Sequence, residues 1–322
     1  MDMLDQRKAK QFLSNNLVLM TILILVGVTA VIEPKFLSIA NLGNIMNQFG
    51  PLSFVSLGMT VAIIGGFIDL SVVGIVSLSA VFTISMIDVV GQYAALALGL
   101  GAGALMGFIN AQVIISCGAL TQAKSVFITF GLSAVYSALA LLYTDGATQH
   151  MSYLTSPVTL YKAMGSGRVG FVSVSFILFL VCMSVLHMFL SKTKTGREIC
   201  LTGANMTAAD LSAIPVKRRV TLIFMVSGVF AALGATVLFS RITTASPLLG
   251  ANYDTNAILA VVVGGTSLAG GRGSVIRTML GVMLVTLLAN CLNLLGVSTY
   301  MQTICKGLVL IIAIWLDRRR VK

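Results

Sequence analysis

Residues 191–219 read SKTKTGREICLTGANMTAADLSAIPVKRR, the one long polar interruption in an otherwise apolar chain. This stretch carries six of the 21 Lys and Arg residues. Apolar runs of about 18 or more residues recur on both sides of it, and such runs are long enough to cross a ~30 Å hydrocarbon core as helices. The stretch is therefore expected to join two membrane-spanning helices and to contain a short amphipathic helix of its own.

The composition identifies an integral membrane protein. Of 322 residues, 57% are hydrophobic and only 10% are charged, which is too few charges to cover a soluble globule of this size. Only helices or closed barrels satisfy their backbone polar groups in lipid, and the apolar runs here are continuous rather than alternating. We therefore predict an all-α fold: one polytopic helical bundle over residues 1–322, embedded in a lipid membrane. The net charge of +11 lies between the apolar runs, which indicates membrane topology rather than nucleic-acid binding.

About ten membrane-spanning helices are predicted. They cover approximately residues 16–32, 49–66, 72–88, 92–116, 126–144, 170–190, 219–240, 254–269, 275–295 and 299–316. With the N-terminus inside, 16 of the 21 Lys and Arg residues fall on inner segments, including Arg7, Lys8 and Lys10 before the first span and the run from Arg318 to Arg320 after the last. Four fall on outer segments and one lies within a span. The positive-inside rule then places both termini in the cytoplasm.

Three further patterns concern local structure. Apolar residues recur every three positions over 36–47, which predicts an interfacial helix before the second span. Gly103 and Gly107 stand in GxxxG register, which indicates close helix packing. The motif Ile-Ile-Gly-Gly at 63–66 precedes a polar turn and a new span, as Val-Val-Gly-Gly does at 262–265. This repetition is consistent with two related halves.

The short helix inside 191–219 has its own start and stop signals. Thr207 and Asp210 form a capping box, so the helix is expected to begin at Thr207. It is expected to end near Ile214, because Pro215 disfavours helix in the residue before it and fits the first turn of the next helix. Met206, Leu211 and Ile214 supply apolar contacts. On composition alone, this helix is equally consistent with a docking surface and with a structural loop.

The motifs of an independent enzyme are missing. The sequence has no GxxxxGK[ST] motif for phosphate binding, and its two histidines and five cysteines show no catalytic or metal-binding spacing. Neither enzymatic activity nor a cofactor is expected on this chain.

Only Asp69 and Lys306 are ionisable groups at predicted membrane depth. Such groups are costly in lipid unless they face a cavity or a partner, so they indicate a polar pathway or a buried ion pair. Alternatively, Asp69 caps the following helix and Lys306 extends its amine to the membrane surface. So few charges favour a neutral solute moved by energy supplied from elsewhere.

A family resemblance covers nearly the whole chain. The run Gly203-Ala204-Asn205, followed by Ala208-Ala209, Leu211-Ser212 and Ile214, resembles a segment of ribose-type ABC sugar importer permeases of bacteria. The similarity continues through 245–253, 257–274 and 292–298, and Ile68-Asp69-Leu70-Ser71-Val72 resembles a further segment of that family.

The resemblance implies an assembly. Two permeases, as two copies or as paralogues, would form a pore in the bacterial inner membrane. A periplasmic binding protein would deliver a monosaccharide, and a separate cytoplasmic ATPase, which holds the ATP and Mg²⁺, would drive alternating access. The residues that would couple this chain to the ATPase are Gly203, Asn205, Thr207, Ala208, Asp210, Leu211 and Ile214. The polar residues that would serve the pathway or the bundle are Asp69, Asn256, Asn293 and Lys306.

The sequence also departs from the family pattern. The family commonly has glycines at positions 67, 73 and 213, where this chain has Phe67, Val73 and Ala213. It commonly has a polar residue at position 215, an apolar or small residue at 277 and an aspartate at 256, where this chain has Pro215, Arg277 and Asn256. A second hypothesis is a self-sufficient secondary carrier or facilitator that uses Asp69 and Lys306.

Overall fold

The computed structural model describes residues 17–321, with side chains from 18 to 315. The predicted inner cations Arg7, Lys8 and Lys10, and the side chains of Arg318 to Arg320, lie outside the described residues. Most of the described chain is helical, and its α-helices are α1 Leu17–Ile32, α2 Ile39–Ile64, α3 Val72–Val90, α4 Gln92–Ser116, α5 Gln122–Thr144, α6 Thr159–Ser166, α7 Val174–Lys192, α8 Lys194–Ala204, α9 Met206–Leu211, α10 Val216–Ile242, α11 Tyr253–Val263, α12 Val275–Leu294 and α13 Thr299–Val321.

Seven of these helices are long and apolar enough to cross a membrane: α2, α3, α4, α5, α7, α10 and α12. Shorter apolar stretches occur in α1, α11 and α13. Each predicted span overlaps one of these helices, which makes the chain a multi-pass membrane protein. Length explains the agreement, because a helix that crosses the hydrocarbon core needs about 20 apolar residues and leaves a long, unambiguous signal.

The helices α2 and α10 form the centre of the bundle. In the most apolar 18-residue stretch of α2, 89% of the residues are buried inside the protein. In the corresponding stretch of α7 only 22% are buried, so α7 lies at the periphery. Glycines let α10 approach its neighbours: a Cβ at Gly107 of α4 would overlap the Phe224 carbonyl, and one at Gly58 of α2 would lie 2.9 Å from the Ser227 carbonyl oxygen. The close packing predicted from the GxxxG spacing is confirmed.

The predicted interfacial helix over 36–47 is wrong. Pro34–Leu37 forms a single 3-10 turn, and Ser38 then caps α2, which continues unbroken to Ile64. The polar side of this stretch faces protein, because Asn41 is buried and exchanges two hydrogen bonds with Asn290 of α12, at 3.0 and 2.9 Å. A polar contact inside the bundle thus produced the amphipathic pattern.

The two ends of the bundle differ in charge. We call the end that carries residues 117–124, 192–219 and 264–277 the basic end, because nine of the described Lys and Arg residues lie there. The opposite end, the loop end, carries residues 33–38, 145–173 and 241–252 and has four.

Short strands and caps order the loop end. The strands β1 (Gln149–His150) and β4 (Thr244–Ala245) pair antiparallel, as do β2 (Arg168–Val169) and β3 (Val172–Ser173). Asp88 accepts hydrogen bonds from the amides of Thr155 and Ser156, which fixes the long loop onto α3.

Two chain reversals at the basic end share one geometry. We call residues 65–71 the first return and residues 264–274 the second return. In each return, the amide of the first glycine (Gly65 or Gly264) donates to the carbonyl four residues earlier. The amide of the second glycine donates to the carbonyl three residues earlier, and the amide of the residue after it donates to the carbonyl five residues earlier. Gly66 and Gly265 then adopt φ of +86° and +91°, which glycine tolerates best. The repeated Gly-Gly motif is therefore a repeated helix ending.

Candidate functional site

Residues 191–219, the coupling segment, fold as two short helices at the basic end, where the sequence predicted one. Thr193 caps α8, since its Oγ1 accepts a hydrogen bond from the Gly196 amide at 3.0 Å. Glycine is required at 196 because a Cβ there would overlap the Phe189 carbonyl oxygen. The last turn of α7 and the first turn of α8 thus meet closely, and α8 is held at a fixed angle beneath the bundle.

Asn205 separates α8 from α9. Its backbone is extended, with φ −160° and ψ 103°, and its Oδ1 accepts a hydrogen bond from the Ala208 amide at 3.0 Å. The predicted capping box at Thr207 and Asp210 is therefore wrong by two residues. Asparagine is among the strongest N-caps, so it starts the helix before Thr207 is reached.

The end of α9 also differs from the prediction. The helix ends at Leu211 rather than near Ile214, because Ala213 turns left-handed at φ +58° and the Ile214 amide returns to the Ala209 carbonyl at 3.1 Å. A left-handed turn explains why glycine suits position 213. Pro215 caps α10 from just outside its first turn.

The predicted coupling residues divide into two groups. Five lie exposed on and around α9 and form what we call the coupling surface: Asn205, Thr207, Ala208, Asp210 and Leu211. Leu211 is 85% exposed, the most exposed large apolar side chain of the described residues. Ile214 is buried, and Gly203 packs against the bundle, so these two attach the surface rather than form part of it.

A group of glycines attaches α8 to both returns. A Cβ at Gly203 would overlap the Ile64 carbonyl oxygen; one at Gly66 would lie 3.2 Å from the Gly203 Cα, and one at Gly270 would lie 2.6 Å from the Gly203 carbonyl oxygen. The Gly271 amide donates to the Ile64 carbonyl at 2.8 Å. We call Gly66, Gly203, Gly270 and Gly271 the glycine junction.

An ion pair provides a second attachment. Arg219 Nε of α10 lies 2.6 Å from Glu198 Oε2 of α8, and the Glu198 side chain is only 10% exposed. The N–H is not directed at the oxygen, so the contact is electrostatic rather than a hydrogen bond. The more distant pair of Glu198 with Lys194, at 3.8 Å, involves a 90% exposed lysine and adds little.

Asp69 lies buried at the end of the first return. Its Oδ1 accepts hydrogen bonds from the Ser71 amide at 3.1 Å and the Ser71 hydroxyl at 2.5 Å, and its Oδ2 accepts from the Ser227 hydroxyl at 2.7 Å. Three donated bonds at the N-terminus of α3 offset much of the cost of removing a carboxylate from water. The predicted capping role is wrong, because Ser71 rather than Asp69 is the N-cap residue and α3 has no side-chain cap hydrogen bond.

Further donors extend this group into a chain. Asn110 Nδ2 donates to the Ser71 hydroxyl at 2.6 Å, and the Tyr136 hydroxyl donates to Asn110 Oδ1 at 2.8 Å. The acid network, as we call Asp69, Ser71, Asn110, Tyr136 and Ser227, joins α3, α4, α5 and α10. The Tyr136 hydroxyl also lies 3.1 Å from the Met106 carbonyl oxygen, a second acceptor. Hydrogen bonds linked in a chain strengthen one another in a low-dielectric interior.

The other predicted polar residues meet elsewhere. Asn256 and Lys306 line one cavity of about 280 Å³ together with Arg241, Tyr253, Gln48 and Thr286. Asn293 lines an adjoining cavity of about 390 Å³ with Gln302 and Ser298. Gln48 and Ala289 border both, so the two make one polar region, which we call the solute cavity. Asp69 and Lys306 do not meet, so the structure gives no support to a carrier that uses them as a pair.

Sequence reasoning missed the roles of two side chains and one ion pair. Arg241 was assigned to an outer loop, although it lies in the last turn of a continuous apolar helix, and that position was the available signal. Tyr253 carried no signal beyond its polar tip. The pairing of Glu198 with Arg219 depends on how the coupling segment folds back, which local patterns do not encode.

Comparisons with known proteins find similar permeases. A family model described as branched-chain amino acid transport system / permease component matches residues 41–314. The ribose import permease protein of Bacillus subtilis (strain 168) is 37% identical over 302 residues, which are 92% of this chain and 90% of that protein. The galactose/methyl galactoside import permease protein of Haemophilus influenzae is 30% identical over 334 residues, 98% of each chain.

A solved structure supports the fold. It is described as a metal-chelate type ABC transporter in an inward-facing conformation, and it superposes with a TM-score of 0.51 over 92% of this chain and 98% of its own, at 16% identity.

Proposed function

This chain belongs to the permease family described as branched-chain amino acid transport system / permease component, and we propose that its own cargo is a monosaccharide that it moves into the cytoplasm. Two observations support a sugar. Relatives that span nearly the whole chain are named for ribose and galactose import. The solute cavity presents amide and hydroxyl groups, which suit the many hydroxyls of a sugar.

Orientation follows from charge. All ten apolar helices would cross the bacterial inner membrane, with the basic end and both termini in the cytoplasm. The loop end would then receive a periplasmic sugar-binding protein, and a second permease, either a copy or a paralogue, would complete the pore.

Cysteine labelling tests this orientation. Cys117 is exposed at the basic end, while Cys291 is buried and Cys182 and Cys305 are half-buried. A membrane-impermeant maleimide should therefore label Cys117 in inside-out vesicles and leave it unlabelled in spheroplasts. Burial raises the pKa of the Cys200 thiol, which lies at the same end, so this residue should react more slowly. Rapid labelling of Cys117 in spheroplasts would reverse the assignment.

Energy would come from a separate ATP-binding subunit that docks on the coupling surface. The observation that supports this is the glycine junction, because a force applied to α9 passes through α8 directly to both returns. Leu211 then supplies an exposed apolar side chain on an otherwise polar surface, and its burial under a partner would contribute to binding through the hydrophobic effect.

Substitutions in α9 test the docking. In the assembled importer, Leu211→Asp should lower sugar-dependent ATP hydrolysis at least tenfold and weaken retention of the ATP-binding subunit, since it places a charge where an apolar side chain would be buried. Asp210→Ala should have a smaller effect in the same direction. Neither should change membrane insertion, because both side chains are exposed.

Leu248→Asp is the matched control, since Leu248 is 65% exposed at the loop end. It should leave the ATP-binding subunit bound. Normal coupling in both α9 variants would place the docking surface elsewhere. Sugar uptake by this chain alone, driven by an ion gradient and independent of ATP, would reject the importer and favour a secondary carrier.

A further inference from the structure

The solute cavity contains two cations and no acid. Arg241, from the last turn of α10, and Lys306, from α13, line the same space of about 280 Å³. Its other polar groups are the neutral side chains of Gln48, Tyr253, Asn256 and Thr286. Among the residues whose side chains the structure describes, no Asp or Glu borders this space or the adjoining one. The cavity therefore carries an unbalanced charge of two.

Neither cation has an ion-pair partner among residues 18–315, where the ion pairs found both involve Glu198 at the basic end. The acid nearest in sequence to this cavity, Asp254, accepts a hydrogen bond from the Thr255 hydroxyl and does not line the space. Unpaired charges at membrane depth are costly and commonly mark a solute route.

Attraction to lipid headgroups at the membrane surface does not explain why Arg241 and Lys306 border the same cavity. Lys306 lies seven residues into α13, about 10 Å along the helix axis from its start at 1.5 Å per residue. Both side chains are only partly exposed, and both border a cavity shared by α2, α10, α11, α12 and α13. A lysine and an arginine that only extended toward lipid headgroups would have no reason to border one open cavity together with four neutral hydrogen-bonding groups.

We propose that the solute cavity takes a sugar that carries one anionic group, a carboxylate or a phosphate. This proposal rests on the proposed function and refines its substrate class. The Arg241 guanidinium suits the two oxygens of such a group, and Lys306 adds a second charge. Gln48, Tyr253 and Asn256 provide hydrogen bonds for sugar hydroxyls, and the adjoining cavity with Asn293 leaves room for the rest of the solute.

The residue at position 256 determines the net charge of the cavity. An aspartate at this position would place a carboxylate in the same space as Arg241 and Lys306 and would neutralise one of the two cations. The asparagine leaves the charge free for the solute, so the neutral solute expected from the sparse intramembrane charge is revised.

Binding to the full importer in lipid nanodiscs tests the proposal, with D-ribonate, D-ribose and inorganic phosphate as probes. D-Ribonate should bind at least tenfold more tightly than D-ribose, and phosphate should compete with it. Arg241→Gln and Lys306→Gln should each weaken ribonate binding about tenfold and lower the ratio of ribonate affinity to ribose affinity. Arg241→Lys keeps the charge but loses the contact with two oxygens, so it should weaken ribonate binding less than Arg241→Gln does, which separates loss of charge from misfolding. Asn256→Asp should abolish the preference for the anion.

Other outcomes would overturn the proposal. Equal affinity for ribonate and ribose, unaffected by the three charge substitutions, would show that the cations do not select the solute. A phospholipid that co-purifies with the importer, disappears in Arg241→Gln and resists displacement by ribonate or phosphate would assign the cations to a lipid headgroup. ATP-driven uptake in proteoliposomes distinguishes failure of this inference from failure of the proposed function. Uptake of ribose but not of ribonate would reject this inference alone. Uptake of neither sugar despite ATP hydrolysis would count against the proposed function.

Discussion

The first and second returns use one backbone device for two different purposes. Both follow a helix that ends in two glycines, and both repeat the same three backbone hydrogen bonds. The first return then leads into the bundle core, where Asp69 and Ser71 are fully buried. The second return stays at the basic end as a glycine-rich loop, with Gly265, Ala269 and Arg272 exposed. Shared backbone geometry therefore does not imply a shared role.

The difference lies in what each return contacts. The first is fixed to three membrane-spanning helices through the acid network, and Leu70 N also donates to Thr129 of α5. The second is fixed mainly by backbone, through Gly271 to Ile64 and through Ser267 to Arg272, with one side-chain bond from Gln122 to the Leu268 carbonyl. We infer that the first return holds the bundle together, while the second adapts to the coupling segment.

The largest expected effect comes from Asp69→Ala. It leaves the Ser71 and Ser227 hydroxyls and the start of α3 without their acceptor, so it should lower the free energy of unfolding by about 3 kcal/mol. Ser227→Ala removes one bond and should cost about 1 kcal/mol. Thermal unfolding of the purified protein, followed by gel filtration of heated samples, measures both. Equal stability of Asp69→Ala and wild type would mean that the network does not anchor the first return.

A matched pair of substitutions compares the two returns directly. Gly66→Ala and Gly265→Ala both place a Cβ at a left-handed position, which costs about 1 kcal/mol each. At 66 the Cβ would also lie 3.2 Å from the Gly203 Cα, whereas at 265 it meets only the Arg277 side chain, at 3.9 Å. Gly66→Ala should therefore destabilise more, by about 2 kcal/mol, and should also lower coupled ATP hydrolysis. Equal decreases in the free energy of unfolding for the two variants would contradict the claim that Gly66 packs against Gly203 in the glycine junction.

The smallest effect is expected for Thr266→Val in the second return. The Thr266 side chain is buried, and its hydroxyl makes no hydrogen bond to any residue in the described part of the chain. Replacing it with a methyl group should change the free energy of unfolding by less than about 1 kcal/mol and is expected to raise it slightly. A clear loss of stability in the same thermal assay would reveal a polar partner for this hydroxyl and would make the second return more like the first.

The helices were predictable to the extent that their signals were long and local. The span predicted over 275–295 corresponds to α12, Val275–Leu294, because an apolar run of membrane length has few alternatives. Errors arose where short polar patterns had two explanations. Asn41 looked like the polar face of an interfacial helix but binds Asn290, and Asn205 rather than Thr207 starts α9.

The site was predictable only residue by residue. Lys306 was selected as an ionisable group within a predicted span, and Asn256 and Asn293 were selected through the family resemblance. Their convergence depends on how α11, α12 and α13 pack, which involves contacts far apart in sequence. The same applies to Asp69, whose partner Ser227 is 158 positions away. Patterns within one helix identify which side chains need a partner, and only tertiary packing shows which partner each one has.

The glycine junction has one more consequence. Its members meet through carbonyl oxygens, amides and Cα atoms, with no titratable or redox-active side chain among them. Changes in pH, ionic strength or thiol redox state therefore have nothing to act on there. Mechanical transmission between the coupling segment and the two returns should stay constant across growth conditions, and any environmental control of the importer would have to enter through other surfaces, such as the charged residues that flank the junction.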